Sequence, residues 1–383
     1  MMRATVYLSF LAALGVISST LCANALPHIA DHFQARFLTA QFTISLFFIG
    51  SAFGQMATGV LSDRWGQRRV LSAGLLLFVV ASLACAMADS MALLIGFRML
   101  QGMGSAAGPV MARAIAATIS EERRSAQVQS YNAIGIGLAS ISAIIAGGFL
   151  VAISWRLAFV LAALIGGALF CFAFAALKAD PLPQIGRPWL FGARRVWGNR
   201  PFLVHTAIHS LTYGLMYGYI SLFSRFLKEL WPAVTSGEIA LYSGLMIVCY
   251  MVGAWVSSQG VLRFGVHRLV YSGVMIQLCG GVLLIAVPYP FVGLVFFNFA
   301  LGLILPMTSA GALAAFRSEG AGTASALLGL SYRIGGSVLC SAICYAAVQH
   351  YFGFGPWMIA FSAASLLLLF AVERTPHRAG NQV

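Results

Sequence analysis

Acidic residues are scarce in this chain: ten Asp and Glu stand against twenty-three Lys and Arg in 383 residues. The ten are Asp31, Asp63, Asp89, Glu121, Glu122, Asp180, Glu229, Glu238, Glu319 and Glu373, and none lies in the middle of an apolar run. A cavity that pairs a cationic ligand with an embedded acid is therefore hard to build. Charged residues of both signs make up only 9%, far below the roughly 25% of a soluble domain, which excludes a soluble globular fold. The seven Cys all fall within apolar runs and form no Cys-x-x-Cys pair. Cys340 and Cys344 share a helix face and read as small packing residues. No acid–His cluster or metal-ligand spacing occurs within the runs, so neither an enzyme nor a metal or cofactor site is expected.

What is abundant is apolar sequence. Hydrophobic residues are 60% of the chain, and runs near twenty residues recur throughout, each long enough to cross a ~30 Å hydrocarbon core as a helix. Read in order they give twelve spans: 5–27, 39–61, 70–88, 91–113, 126–150 and 156–177, then 202–224, 238–259, 268–288, 291–315, 323–347 and 355–372. The fold class is all-α integral membrane protein. The polar stretch 178–200, with three Pro and five Lys or Arg, reads as a linker between an N-terminal half, 1–177, and a C-terminal half, 201–383. Ala23-Asn24-Ala25 resembles a signal-cleavage site, but the apolar run is too long for a signal and eleven spans follow.

Basic residues orient the chain. Seventeen of the Lys and Arg fall at the termini and on the loops of that side, whereas only Arg36, Arg156, Arg225 and Lys228 fall opposite. The positive-inside rule makes both termini cytoplasmic. The net charge of +13 then reflects topology, and nucleic acid is not an expected partner. The lipid bilayer is.

The halves repeat at an offset of about 200 residues, a hallmark of transporters built from parallel repeats. Arg64-Trp-Gly66-Gln-Arg68-Arg69 returns as Arg263-Phe-Gly265-Val-His267-Arg268, Arg98 and Gln101-Gly102 align with Asn298 and Leu301-Gly302, and Tyr131-Asn132 aligns with Tyr332-Arg333. The repeat predicts a ligand near the midplane, between the halves.

Gly59-Val-Leu-Ser-Asp63-Arg64-Trp-Gly66-Gln-Arg68-Arg69 is a charged, glycine-punctuated turn between two apolar runs, costly in lipid and so expected at a membrane face. Gly59 and Gly66 allow close approach and tight turning; Asp63 can accept from Arg residues or cap a neighbouring helix start. At every defining position this stretch is similar to the loop 2–3 signature of the major facilitator superfamily. Arg98-Met-Leu-Gln101-Gly102-Met-Gly104 resembles the helix 4 motif of its drug:proton antiporters. Leu26-Pro27-His-Ile-Ala, Met111-Ala-Arg113 and Trp155-Arg156 resemble its Bcr/CflA drug-efflux branch.

The resemblance implies two six-helix pseudo-repeats, alternating access, a bacterial inner membrane, and a conformational switch at Gly59, Asp63, Arg64, Gly66, Arg68 and Arg69. Two departures stand out. Ala143-Ile144 replaces the Gly-Pro expected before Gly147-Gly148, removing a proline kink, and Ala23 stands where the branch often places Asp. The second copy of the loop has Leu262 at the Asp63 position.

Positive charge is embedded instead. Arg333 lies about ten residues into its span, roughly 15 Å deep, and Arg98 about seven. Each must face a cavity or a partner, at a cost on the order of 3 kcal/mol. Arg98 either organises the N-terminal half through Gln101 or binds ligand. A guanidinium at Arg333 suits a carboxylate, catecholate or phosphate. The seventh span places His205, His209, Tyr213 and Tyr217 on one face at i+4 spacing, lining a cavity or packing on neighbours. His209 is a candidate proton carrier. Tyr332, Asn24, Asn132, Gln277 and Asn298 are further polar residues within spans.

The expectation is a secondary transporter that exports small amphiphilic, anionic or zwitterionic molecules such as a siderophore or metabolite, with a proton gradient as driving force, and that works as a single chain. Import of such an anion by symport, and a non-transporting scaffold or sensor, are the alternatives.

Overall fold

The computed structural model describes residues 2–119, 121–176, 194–231, 233–287, 290–317, 320–348 and 353–373. The first half contains α1 (Met2–His32), α2 (Phe37–Trp65), α3 (Gln67–Ala86), α4 (Met91–Ser105), α5 (Ala107–Ala117), α6 (Glu122–Ile153) and α7 (Arg156–Ala176). The second contains α8 (Arg200–Leu230), α9 (Ser236–Phe264), α10 (Val266–Ala286), α11 (Pro290–Leu313), a 3₁₀ turn at Ala314–Phe316, α12 (Ala321–Val348) and α13 (Phe354–Glu373). Among the described residues there is no strand. Most of the expected linker, 178–193, lies outside the described residues.

Every expected span falls on helix, with two instructive differences. The fourth, 91–113, is split into α4 and α5 at Ala106. Pro109 has no N–H to return to the Ser105 carbonyl, so the ladder is interrupted where the helix breaks. The seventh, α8, is not among the ten helices apolar enough to be recognised as spans by composition. Its His, Thr and Tyr residues lower its hydropathy without shortening it. By contrast α6 runs unbroken for 32 residues, as expected once Ala143-Ile144 replaces Gly-Pro.

Local signals set the helix ends. Ser90 accepts from the Leu93 N–H at the start of α4, and Asn199 accepts from the Phe202 N–H at the start of α8. Thr235 and Glu238 form a capping box on α9, satisfying donors the helix leaves open. The α2–α3 turn passes through Gly66 at φ 92°, and the α9–α10 turn through Gly265 at φ 81°. Only glycine adopts this region without steric cost, so both copies of the turn need it.

The chain forms two compact units: Met1–Arg194 with Phe316–Leu330, and Arg195–Ala315 with Ser331–Val383. The start of α12 thus packs with the first-half helices, although the sequence places it in the expected C-terminal half. In unit 1 the apolar core is built from Leu11, Leu14, Leu75, Phe78 and Phe159. Arg156 donates to the Ala86 and Ala88 carbonyls at 3.0 and 3.4 Å and covers the Trp155 ring at 4.7 Å, closing the end of α3. In unit 2 the core includes Leu215, Tyr219, Phe223, Phe297 and Met358.

The internal repeat reappears as backbone contact. In unit 1 a Cβ on Gly50 would overlap the Met99 carbonyl, and one on Gly102 the Phe47 carbonyl. In unit 2 a Cβ on Gly253 would overlap the Phe299 carbonyl, and one on Gly302 the Tyr250 carbonyl. Both units therefore bring a helix pair, α2 with α4 and α9 with α11, into backbone contact through the same reciprocal glycines. Such approach is how membrane helices gain packing energy where lipid offers no hydrophobic drive.

Candidate functional site

The charged loop ends in a helix cap. Asp63, at the end of α2, accepts from the Gly322 N–H at 3.1 Å through one carboxylate oxygen. The other accepts from the Thr323 N–H at 2.8 Å and the Thr323 hydroxyl at 2.6 Å. These are the second and third residues of α12, so the carboxylate occupies the positive end of that helix and satisfies two of its open donors. Of the two roles open to Asp63 from sequence, the structure has the cap. Gly59, one turn earlier, lets α2 approach: a Cβ there would lie 2.7 Å from the Gly322 carbonyl. Arg64 and Arg69 are exposed, Arg68 is half-buried, and Gly66 makes the turn.

Two more ties hold the same segment. Arg113 of α5 donates to the Ser325 hydroxyl and carbonyl at 3.2 and 3.3 Å, while the Ser325 hydroxyl donates to the Val110 carbonyl at 2.9 Å. Arg317 lies 3.6 Å from Glu122. In the sequence Arg113 stands out only as part of a family string, and Thr323 and Ser325 do not stand out at all. Small hydroxyl residues in an Ala-Gly-Thr-Ala-Ser stretch carry no sequence signal that separates a docking site from helix packing.

Arg98 has no accessible surface. Its guanidinium donates to the Thr43 carbonyl at 3.2 Å, the Ser18 hydroxyl at 3.2 Å and the Gln101 side-chain oxygen, and lies 4.2 Å from the Phe47 ring centroid. Gln101 donates onward to Ser82 at 2.7 Å, and Ser82 to the Phe78 carbonyl at 2.6 Å. Between organising the N-terminal half and binding ligand, the structure displays the organising role: α1, α2, α3 and α4 are joined through this one cation. Ser18, Thr43 and Ser82 give no sign of this in the sequence. Asn132 is buried and accepts from the Ser9 hydroxyl at 3.4 Å. Asn24 is half-buried and donates to the Ile144 carbonyl at 3.2 Å.

Unit 2 gathers most of the remaining candidates in one cluster. Tyr213 of α8 stacks on Tyr332 of α12, with centroids 4.1 Å apart and planes 19° from parallel. His209 meets both rings, at 5.0 and 5.2 Å, and Tyr217 adjoins Tyr213 at 5.5 Å. Arg333, half-buried, follows Tyr332 and lies within electrostatic reach of Tyr217. His209 Nδ1 is 2.7 Å from the Thr308 hydroxyl of α11. Asn298 stands apart, donating to the Leu294 carbonyl of its own helix at 2.9 Å, and Gln277 donates to Ser362 at 3.0 Å. Of the described carboxylate side chains, Asp31, Asp89, Glu121, Glu122 and Glu238 are exposed, and Asp63 is engaged at α12. The cluster around Arg333 is therefore cationic and aromatic. It suits a planar anion by charge and stacking together.

A family model described as Major Facilitator Superfamily matches residues 8–339. The chain belongs to the Major Facilitator Superfamily. Among its relatives in the superfamily is "Multidrug resistance protein D" of Escherichia coli (strain K12), 28% identical over 348 residues, covering 87% of this chain and 86% of the relative. "Multidrug resistance protein MdtL" of Escherichia fergusonii is 27% identical over 376 residues, covering 92% and 90%. Among solved superfamily structures, the transporter FucP in the outward conformation superposes with a TM-score of 0.80 at 14% identity, covering 97% of this chain and 98% of that one. The human organic anion transporter MFSD10 gives 0.69 at 17%, covering 96% and 98%. The protein is thus a multi-pass membrane transporter of the superfamily fold, and not an enzyme.

Proposed function

We propose that the protein exports small amphiphilic anions or zwitterions, of the carboxylate or catecholate type found in siderophores and related metabolites, from a bacterial cytoplasm across the inner membrane. The observation that carries the substrate class is Arg333 beside the Tyr213–Tyr332 stack, in a unit where no described carboxylate is buried. Arg333, Tyr332, Tyr213, Tyr217 and His209 contact ligand or couple its movement. Arg98, Gln101 and Asn132 hold the helices that frame transport. Export accords with relatives named for multidrug resistance. The seventeen-to-four partition of basic residues puts both termini in the cytoplasm. A proton gradient drives the cycle, the contact of Asp63 with α12 forms and breaks during it, and a single chain suffices. Import by symport is the second reading, left open by the unbroken α6, which lacks the proline of the resembling branch.

Reconstitution into liposomes tests the substrate class. Radiolabelled dihydroxybenzoate and tetraphenylphosphonium are compared with and without a pH gradient. Protein-dependent, gradient-driven movement of dihydroxybenzoate, weakened in Arg333→Gln, is expected. Rapid movement of tetraphenylphosphonium instead would overturn the charge argument, and the sign of the gradient that drives flux separates export from import.

A further inference from the structure

Within unit 2, α8 and α12 meet in register. Tyr213 stacks on Tyr332, and Ser221 meets Cys340 at the same offset of 119 residues. Between these rungs, a Cβ on Gly336 would stand 3.2 Å from Tyr213 and from Tyr217. Residues four apart share a helix face, so Tyr332, Gly336, Cys340 and Cys344 form one line on α12. They are matched by Tyr213, Tyr217 and Ser221 on α8.

The packing of this seam is carried by the neighbouring line. A Cβ on Gly214 would lie 2.6 Å from Leu339, and one on Gly218 would lie 3.1 Å from Ile343, which has no accessible surface. Cys340 and Cys344 are half-buried, and Ser221 is exposed. The two thiols, which read in sequence as small packing residues, therefore stand at an open edge of the seam and not at its closed centre.

The two Sγ atoms are 3.9 Å apart. The Ser221 Oγ is 3.7 Å from the Cys340 Sγ and lies near the Cys344 thiol as well. A soft atom bonded to each sulfur at about 2.3 Å, the length of a zinc–thiolate bond, can join sulfurs up to about 4.6 Å apart. This pair can thus be bridged without moving backbone, and thiolates select soft partners. Among the described residues no group of three His, Cys, Asp or Glu side chains could hold a bare metal ion. A trivalent arsenic that carries one organic group needs no third protein ligand, because it makes two bonds to sulfur and one to its own carbon. The other five cysteines offer no equivalent: Cys22 and Cys85 are buried in unit 1, and Cys171, Cys249 and Cys279 lie on three different helices.

We propose that Cys340 and Cys344 form a dithiol site that captures monosubstituted trivalent arsenicals beside the Tyr213–Tyr332 cluster. An arsonous acid, R–As(OH)₂, exchanges both hydroxyls for sulfur. Two As–O and two S–H bonds break, two As–S bonds form, and two water molecules leave. Arsenic stays trivalent, so the step needs neither oxidant nor reductant. The site stands on the thiol geometry alone and does not depend on the transport reading.

Phenylarsine oxide is the probe, added to the full chain in lipid nanodiscs and read by intact mass spectrometry. A single adduct is expected that withstands excess mercaptoethanol and is removed by dimercaptopropanol. Closing the second bond within one chain strengthens capture on the order of 10²–10⁴-fold over a lone thiol. Cys340→Ala and Cys344→Ala should therefore each weaken binding by about 100-fold or more, while Cys279→Ala, at an exposed position on α10, leaves it unchanged. The unaltered chain gives a check that does not depend on a variant folding. Free arsenical is removed, the chain is alkylated with N-ethylmaleimide in sodium dodecyl sulfate, and its peptides are mapped. Cys340 and Cys344 should be shielded together and the other five cysteines alkylated. Absence of an adduct that withstands mercaptoethanol overturns the site. So does an adduct undiminished in both variants, or shielding at any other cysteines.

Discussion

Replacing Asp63 by Asn tests the cap on α12 with almost no change of shape. The carboxylate accepts three hydrogen bonds at 3.1, 2.8 and 2.6 Å. Asn keeps one accepting oxygen but turns an NH₂ group toward N–H donors and removes the charge. One hydrogen bond to a charged group is lost outright and the others weaken, a loss of about 2–3 kcal/mol. Because each 1.4 kcal/mol is tenfold, opening of the first turn of α12 becomes about 30- to 150-fold more frequent. Hydrogen–deuterium exchange of peptides covering 320–330, measured on protein in nanodiscs, reads this directly. Protection there should fall by that factor, while peptides from α10 and α13, which have no part in the contact, should not change. Asp63→Glu, which keeps the charge at a longer reach, should fall between. Unchanged protection of 320–330 in Asp63→Asn would refute the cap as a source of stability and leave the loop as a topological charge cluster.

The close helix pairs give a second prediction. Gly102→Ala drives a methyl into the Phe47 carbonyl, and overpacking against backbone that cannot move should destabilise by about 1–3 kcal/mol or more, read as a lowered midpoint of thermal unfolding in detergent. Tyr332→Ala removes the ring stacked on Tyr213; aromatic contacts of this kind are worth about 1 kcal/mol, so KM for an aromatic carboxylate should rise roughly fivefold. An unchanged KM would move the ligand away from this cluster.

Much of the architecture was legible because the bilayer leaves little choice. An apolar run of twenty residues must be a helix, and all twelve expected runs are helical. The break at Ala106 was written in Pro109 but masked by an uninterrupted apolar pattern, since hydropathy does not register a missing N–H. The site was legible to a different degree. The i+4 spacing of His209, Tyr213 and Tyr217 put three candidates on one face of α8, because helical periodicity is local. Their partners Tyr332 and Thr308 lie about 100 residues away, where periodicity says nothing. Asn298 looked equivalent in sequence and is instead bonded to its own helix. The membership of 316–330 in unit 1 was invisible for the same reason: it depends on Asp63, Arg113 and Glu122 reaching segments some 200 residues distant.

Arg98 and Arg333 look alike in sequence, each a guanidinium deep in an apolar run, yet their surroundings assign them opposite sensitivities to the same substitution. Arg98 is enclosed, its planar fork divided among Thr43, Ser18 and Gln101 with the Phe47 ring against its face. A lysine there keeps the charge but has neither the fork nor the flat face. At least one charge-assisted bond and the ring contact are lost in a site that water cannot reach, at about 2–4 kcal/mol. Arg98→Lys should therefore lower thermal stability clearly, and any protein that remains folded should keep its KM for an anionic substrate. Arg333 is half-buried beside the tyrosine stack, where charge is the property a ligand would sense. Arg333→Lys should leave stability unchanged and KM within about threefold, whereas Arg333→Gln, which removes the charge, should raise KM by on the order of tenfold or more. The pair separates the two functions cleanly. If Arg98→Lys raised KM without loss of stability, the buried cation would be a ligand contact after all. If Arg333→Gln left KM unchanged, anion selectivity would have to come from elsewhere in the chain.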